Sequence, residues 1–348
     1  MTKIDLSKTD YPNALALSRV LISGEMRVSR SQRKNNVPIP RFMYFSVTHQ
    51  CNLSCNGCYA KSWKKGNGLN IDQITSIIDQ SRELGTYIFV LAGGEPLLVD
   101  DLLEAVRERK GSIFIMFTNG TMIDEDLADS IVETGNLMPV VSLDGPEEMN
   151  DARRGLGVWK KATNAMRLLQ ERSSLFGFST MLTHENYRFL LSRNYLDPMW
   201  DLGCRLGFFI DYIPFPEDLN PKYVLNAEDF DLKVQLVKKA RFENHPYVVN
   251  FPPDEYLASG GYCMAGKTSV HVNADGWLEP CPYSHYASHN LLETPLVEAL
   301  QSEFFKSLRE EFSGEKNLSN TCHLFAMGER VNEIAVTTGA ESRDQRES

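Results

Sequence analysis

The sequence of 348 residues contains no run approaching the ~20 apolar residues of a membrane-spanning helix. Positive charge is in deficit, with 36 Lys and Arg against 46 Asp and Glu and a formal net charge of −10. A broad nucleic-acid surface needs clustered positive charge, so nucleic acid is not an expected partner. The opening MTKIDLSKTDYP lacks the basic stretch and apolar core of a secretory signal, and a cytoplasmic location is the expectation. Cysteine is scarce, seven in all. In a reducing compartment, close-set cysteines are metal ligands or redox groups more often than disulfides. No low-complexity tract appears.

What is present is ordinary in bulk and regular in pattern. Apolar residues make up 42% and charged residues 24%, the balance of a globular domain large enough to bury a core. Residues 12–26, PNALALSRVLISGEM, suggest a short helix or two, followed by a basic loop, RVSRSQRKNNVPIP. A basic flank beside an apolar helix can touch a membrane surface; a helix capping the main domain is the plainer reading. From residue 42, strand-like runs (FMYFSVTH, TYIFVLAG, SIFIMFTNG, LMPVVSLDG, FGFSTMLTH, LGFFIDYIPF) alternate with segments of helical periodicity. Six such units call for a parallel sheet with helices outside. Six are too few to close an eight-stranded barrel, so the expected class is α/β, a partial (β/α)6 TIM-type barrel.

The expected organisation is an N-terminal helical extension and loop over 1–41, the barrel over 42–245, a small α+β region over 246–335 and a disordered polar tail over 336–348. Within the third segment, SVHVNADGWLEPCPY reads as a hairpin turning near Asn273 and Gly276.

Three of the seven cysteines fall together in CNLSCNGCYA, where Cys51, Cys55 and Cys58 are spaced C-x3-C-x2-C just past the first strand. Loops after the strands form the functional face of a parallel strand–helix array. Structural zinc takes four protein ligands, usually as separated C-x2-C pairs, and no fourth ligand lies nearby. Three thiolates suit an iron–sulfur cluster with one iron left open, with zinc as the competing occupant.

The aromatic residue after the third cysteine completes a motif that resembles the radical S-adenosylmethionine (radical SAM) enzymes. GGEP (Gly93 to Pro96), TNG (Thr118 to Gly120) and SLDG (Ser142 to Gly145) end the second, third and fourth strands, and ARRG (Ala152 to Gly155) follows. The resemblance covers roughly residues 42–215. It implies a 4Fe–4S cluster on Cys51, Cys55 and Cys58 whose open iron binds the amino and carboxylate groups of SAM. Gly93 and Gly94 then leave backbone groups free to approach the SAM ammonium, and Glu95 adds charge compensation. Ser142 and Arg154 match positions that contact ribose or carboxylate, with Arg153 an adjacent rival. Tyr59 shields the cluster or the adenine. Asn119 is either a SAM contact or part of a generic Asn-Gly turn.

The implied reaction passes one electron from the reduced cluster into the sulfonium, releasing methionine and a 5′-deoxyadenosyl radical that abstracts hydrogen. The cluster and SAM carry the chemistry, and the protein positions the substrate. A flavodoxin- or ferredoxin-type electron donor is the corresponding partner.

Cys263 and Cys281, with Cys322 further on, resemble the start of the Twitch or SPASM segment that carries an auxiliary cluster in many of these enzymes. Three cysteines leave room for one auxiliary 4Fe–4S cluster, its fourth iron open or held by His285, His289 or His323. Buried structural cysteines are the alternative. Cys204 reads as a core residue, and Asp211 and Tyr212 as candidates for the substrate cavity. The expected substrate is a small molecule, cofactor precursor or lipid, with a peptide as the alternative. A non-catalytic iron–sulfur sensor or electron carrier competes from another class.

Overall fold

The computed structural model describes residues 14–61, 66–214, 222–243, 247–314, 316 and 322–343. Seven strands run parallel: β1 (Phe42–Thr48), β2 (Ile88–Gly93), β3 (Ile113–Thr118), β4 (Leu137–Ser142), β5 (Gly177–Leu182), β6 (Leu206–Asp211) and β7 (Val248–Phe251). Two more follow, β8 (Ser269–Val272), parallel to β1, and β9 (Leu278–Glu279), antiparallel to β8. The sheet order is β7-β6-β5-β4-β3-β2-β1-β8-β9, so its edges are β7 and β9 and the sheet is open. β10 (Tyr286–Ala287) and β11 (Glu341–Ser342) form a separate antiparallel pair.

Alternation along the strands separates two faces. Phe89, Phe114, Phe178 and Phe209 are fully buried against the helices. Tyr44, Ser46, Val90, Ala92, Ile115, Phe117, Ser179, Phe208, Ile210, Val249 and Phe251, contributed by β1, β2, β3, β5, β6 and β7, all line one cavity of about 710 Å³. A sheet whose strands point alternate residues into a single space is concave, the geometry of a partial barrel.

The helices begin and end where the sequence supplies caps. Helix Ile71–Leu84 opens on a capping box, in which Asn70 accepts from Gln73 N and Gln73 from Asn70 N. It closes on Gly85 at φ 112°.

Four expectations need correction. First, the basic segment after residue 26 is helix, not loop: one helix runs over Ala14–Asn35. Gly24 and Val28, one turn apart, pack inward, while Arg27, Arg30, Arg33 and Lys34 are exposed on the other side. Asn36, two residues before Pro38, is at φ 52°, and there the helical backbone gives out. Second, the barrel does not stop at residue 245, because the short run VVNF adds β7 as a seventh parallel strand. Third, region 246–335 shares the barrel's sheet through β7, β8 and β9. Fourth, residues 336–343 are ordered: helix Gly328–Thr338 ends on Gly339 at φ 72°, and β11 pairs with β10. Polar composition hid a segment held by backbone pairing. Residues 344–348 lie outside the described part of the chain, as do 1–13.

Phe178 is the hub of the outer layer, with Tyr195, Trp200 and Phe209 ring centroids at 5.7, 5.6 and 5.6 Å. Phe178→Ala is expected to cost about 3–5 kcal/mol of stability, read by chemical denaturation of the chain.

Candidate active site

Cys51, Cys55 and Cys58 follow the C-terminal end of β1, and all three line the cavity. Cys51 is exposed, the other two partly buried. Burial pushes the Cys51 thiol above its ordinary range, and the nearby Glu95, Cys55 and Cys58 push the same way. The loop is stitched to the motifs around it. Asn56 N donates to Arg153 O at 3.0 Å, and Asn119 Nδ2 donates to Asn52 Oδ1 at 2.8 Å. Asn52 Nδ2 in turn donates to Thr121 Oγ1 at 2.9 Å. Asn119 therefore braces the cysteine loop through its side chain.

The glycines of GGEP have a steric reason that the sequence reading placed elsewhere. Gly94 N donates to Thr48 O and Glu95 N to Gln50 O, both at 2.8 Å. A Cβ on Gly94 would stand 1.9 Å from Gln50 O, and one on Gly93, at φ 116°, 2.6 Å from Thr48 O. The close approach these glycines permit is that of the protein's own chain entering the cysteine loop. Both still line the cavity.

Glu95 is 1% exposed. Its carboxylate accepts from Leu97 N at 3.2 Å, Thr118 Oγ1 at 2.7 Å and Asn119 N at 2.8 Å, joining the end of β2 to the end of β3. Burial raises its pKa, opposed by those donors and by Arg154. Ser142 Oγ meets Ser179 Oγ at 3.1 Å on the cavity wall.

Arg153 and Arg154 both line the cavity and both engage Asp144, with Arg154 Nε 2.6 Å from Asp144 Oδ2. Asp144, within SLDG, was not singled out by sequence reasoning, though its place between the motif serine and glycine was visible. Burial opposes its ionisation, but the two guanidiniums and the Met181 N–H outweigh that and hold its pKa well below the usual carboxylate range.

Tyr59 is half-buried beside Tyr283, with ring centroids 5.9 Å apart. Tyr283 stacks on Phe251 at 5.8 Å, and Phe251 lies 6.4 Å from Tyr44. This aromatic wall leads from the first cysteine set towards the second. Cys263, Cys281 and Cys322 are all buried and interact electrostatically with one another, although 59 residues separate the first from the last (322 − 263). Among the described residues, no three His, Cys, Asp or Glu side chains converge on a single ion position. A cubane makes a different demand, one thiolate on each of several irons.

Of the remaining candidates, His289 Nδ1 meets Ser288 Oγ at 2.8 Å, His285 is buried, and the His323 side chain lies outside the described residues. Cys204 is a core residue at 1% exposure. Tyr212 and Asp211 line the cavity; Asp211 is ion-paired with the fully buried Lys233 and accepts from Asn250 Nδ2 at 3.0 Å. Sequence reasoning missed two groups. One is a buried chain in which His271 joins Ser46 Oγ at 2.8 Å to Glu279 Oε2 at 2.7 Å. The other is Glu255 on the cavity wall, whose Oε1 accepts from Ser269 Oγ at 3.3 Å. Neither carries a spacing signal, because only the fold brings their partners together.

Residues 45–190 match the family described as the radical SAM superfamily. Over 330 residues the chain is 26% identical to an AdoMet-dependent heme synthase of Oleidesulfovibrio alaskensis, covering 84% of this chain and 83% of that protein. It is 25% identical over 303 residues to the mycofactocin maturase MftC of Mycobacterium tuberculosis, covering 80% and 75%. Its fold resembles Streptococcus suis SuiB bound to precursor peptide SuiA, with a TM-score of 0.69 at 16% identity over 82% of this chain and 70% of that one. Over residues 45–190 the chain is thus similar to the radical SAM superfamily, whose members work with a 4Fe–4S cluster and AdoMet.

Two outcomes are expected. Gly94→Ala should lower the iron bound per chain after anaerobic reconstitution, whereas Gly328→Ala, with open space around its Cβ, should leave it at the parental value. Asp144 has a depressed folded pKa, so its contribution is complete above the unfolded value of about 4 and is lost as pH falls further. Denaturation curves should show parental stability falling below that pH. Asp144→Asn should be about 3–5 kcal/mol less stable at neutral pH, because the half-buried guanidiniums of Arg153 and Arg154 lose their buried partner, and should show a flatter acid limb.

Proposed function

We propose that Cys51, Cys55 and Cys58 hold the SAM-binding 4Fe–4S cluster, that Cys263, Cys281 and Cys322 hold one auxiliary 4Fe–4S cluster, and that a small molecule or cofactor precursor reacts between them. The observation that carries this reading is the single cavity. It is lined by the first cysteine set and by Met264 and Pro282, next in sequence to Cys263 and Cys281, and its walls are mostly apolar and aromatic.

The residues present fit the first cluster. Three thiols on one loop face one space, and the loop is fixed to GGEP, TNG and ARRG by hydrogen bonds rather than by a fourth ligand. When bound, the cluster and AdoMet supply reductive cleavage to a 5′-deoxyadenosyl radical.

The chain's own side chains do the rest. Arg154, oriented by Asp144, presents its remaining guanidinium N–H groups to a carboxylate in the cavity. Ser142, Gly93 and Gly94 line the same stretch, and Asn119 and Glu95 hold the loops that carry them. Tyr59 closes one side with Tyr283, excluding water from the reacting region. Asp211 and Tyr212 reach the cavity from the end of β6 and are candidates to orient the substrate.

The heme synthase relative supports a cofactor precursor as substrate, while the maturase relative supports a peptide as the second reading. The cue for a lipid was a basic loop, and those residues are helical. A flavodoxin- or ferredoxin-type protein is the proposed electron donor. A reducing cytoplasmic setting is favoured by the seven free cysteines. Among the described residues no helix is long and apolar enough to cross a membrane.

Reconstituted protein given dithionite and SAM should release 5′-deoxyadenosine, and Cys55→Ala should abolish that release. A porphyrin-class compound should stimulate it; stimulation by a peptide instead would select the second reading, and release undiminished in Cys55→Ala would refute the first cluster assignment.

A further inference from the structure

Three adjacent strands bring a serine, a histidine and a glutamate together on the cavity side of the sheet. His271 on β8 is in register with Tyr44 on β1 and with Glu279 on β9, and Ser46 stands two residues after Tyr44. Alternation therefore puts all four side chains on one face. Ser46 and His271 both line the cavity. Ser46 Oγ lies 2.8 Å from His271 Nε2, and His271 Nδ1 lies 2.7 Å from Glu279 Oε2. Asn273 Nδ2 donates to Glu279 Oε1 at 2.8 Å. Ser46, His271, Glu279 and Asn273 are each at most 2% exposed. Ser46 also sits against the GGEP turn, since a Cβ on Gly93 would stand 3.2 Å from its Cα.

The hydrogen bonds fix where each proton lies. Asn273 Oδ1 accepts from Asp275 N at 3.1 Å and from Trp277 N at 3.0 Å, so its amide nitrogen is the end that faces Glu279. Glu279 is then the acceptor for His271, which places the imidazole proton on Nδ1. Nε2 keeps its lone pair, and Ser46 donates its one proton to it. The Ser46 oxygen thus meets the cavity as an acceptor with a base behind it. Backbone pairing already joins β1, β8 and β9, and a seam alone needs no such relay.

We propose that Ser46 and His271 form a proton-accepting site for the substrate, with Glu279 as a positioning residue. Ser46 Oγ accepts a hydrogen bond from a hydroxyl, ammonium or ring N–H of the substrate. When that group gives up its proton, its O–H or N–H bond breaks and a new Oγ–H bond forms, while the earlier Ser46 proton passes to Nε2. The proton comes to rest on the imidazole between Ser46 and Glu279, and no electron moves in the step. A carboxylate is rejected at this spot, because its lone pairs would face those of Ser46. The site rests on the proposed function only in taking the cavity as the place where substrate reacts.

The test exchanges the hydroxyl for a thiol in the full, anaerobically reconstituted chain. In Ser46→Cys, alkylation of position 46 by iodoacetamide at pH 7 is followed by mass spectrometry of the peptide that contains it. A thiol whose proton passes to an imidazole reacts as the thiolate. Adding His271→Gln or His271→Asn, which keep a polar side chain but accept no proton, should slow that alkylation about tenfold. Adding Glu279→Gln should slow it as well, because an amide donating to Nδ1 turns the other tautomer, with Nε2–H, towards position 46. After denaturation all the variants should react alike. Equal rates in the folded protein with and without His271, or a thiol at position 46 that reacts only after denaturation, would overturn the proposal. Iron is counted on the same samples: its absence from the parent chain would refute the cluster assignments, while the rate at position 46 still decides the relay.

Discussion

Two backbone hydrogen bonds, Gly94 N to Thr48 O and Glu95 N to Gln50 O, fix where the first cysteine loop begins. They prolong the β1–β2 pairing past the end of the sheet and set the chain leaving β1 hard against GGEP. Every other element of that site follows from this contact. Glu95, once placed, gathers donors from Leu97, Thr118 and Asn119, and Asn119 then reaches back to Asn52 inside the loop. The result is a ring of short interactions around three thiols that are not themselves bonded to one another. Such a loop keeps its shape before any cluster binds, which limits the entropy that cluster assembly must overcome.

The same sheet joins the two cysteine sets. β8 pairs with β1 on the side away from β2, so the segment bearing Cys263 and Cys281 is registered directly against the strand that delivers Cys51. The His271 chain crosses that seam, linking Ser46 on β1 to Glu279 on β9 through buried side chains. On the opposite edge, β7 carries Phe251 and the helix with Glu255 towards the same cavity. The auxiliary region is thus an extension of both barrel edges rather than an attached lobe, and substrate space is defined by the two together.

Much of this was legible in the sequence. Parallel strands are long, apolar and regularly interrupted by helices, so β1 to β6 stood out, as did four motifs at successive strand ends. The hairpin near Asn273 was legible from its turn residues. What was hidden is instructive. β7 has four residues, too few for periodicity to register, and β11 has two within a polar tail. The helix at Arg27 to Lys34 was obscured by charge, because its inward face needs only Gly24 and Val28. Gly94 was legible as important, but its reason, a carbonyl oxygen of Gln50 in the space of a side chain, depends on pairing that no local pattern encodes. Asp144, His271 and Glu255 act through partners 8 to 225 residues away (279 − 271; 271 − 46), and only the fold makes them neighbours.

The central claim is that the loop of Cys51, Cys55 and Cys58 holds an iron–sulfur cluster with an iron open to AdoMet. Electron paramagnetic resonance of the dithionite-reduced protein, recorded with and without AdoMet, tests it most directly. The reduced protein should give a cluster signal whose g-values move when AdoMet is added, and Cys58→Ala should abolish that movement. A signal indifferent to AdoMet, or tetrahedral zinc at the loop in protein purified without oxygen, would contradict it.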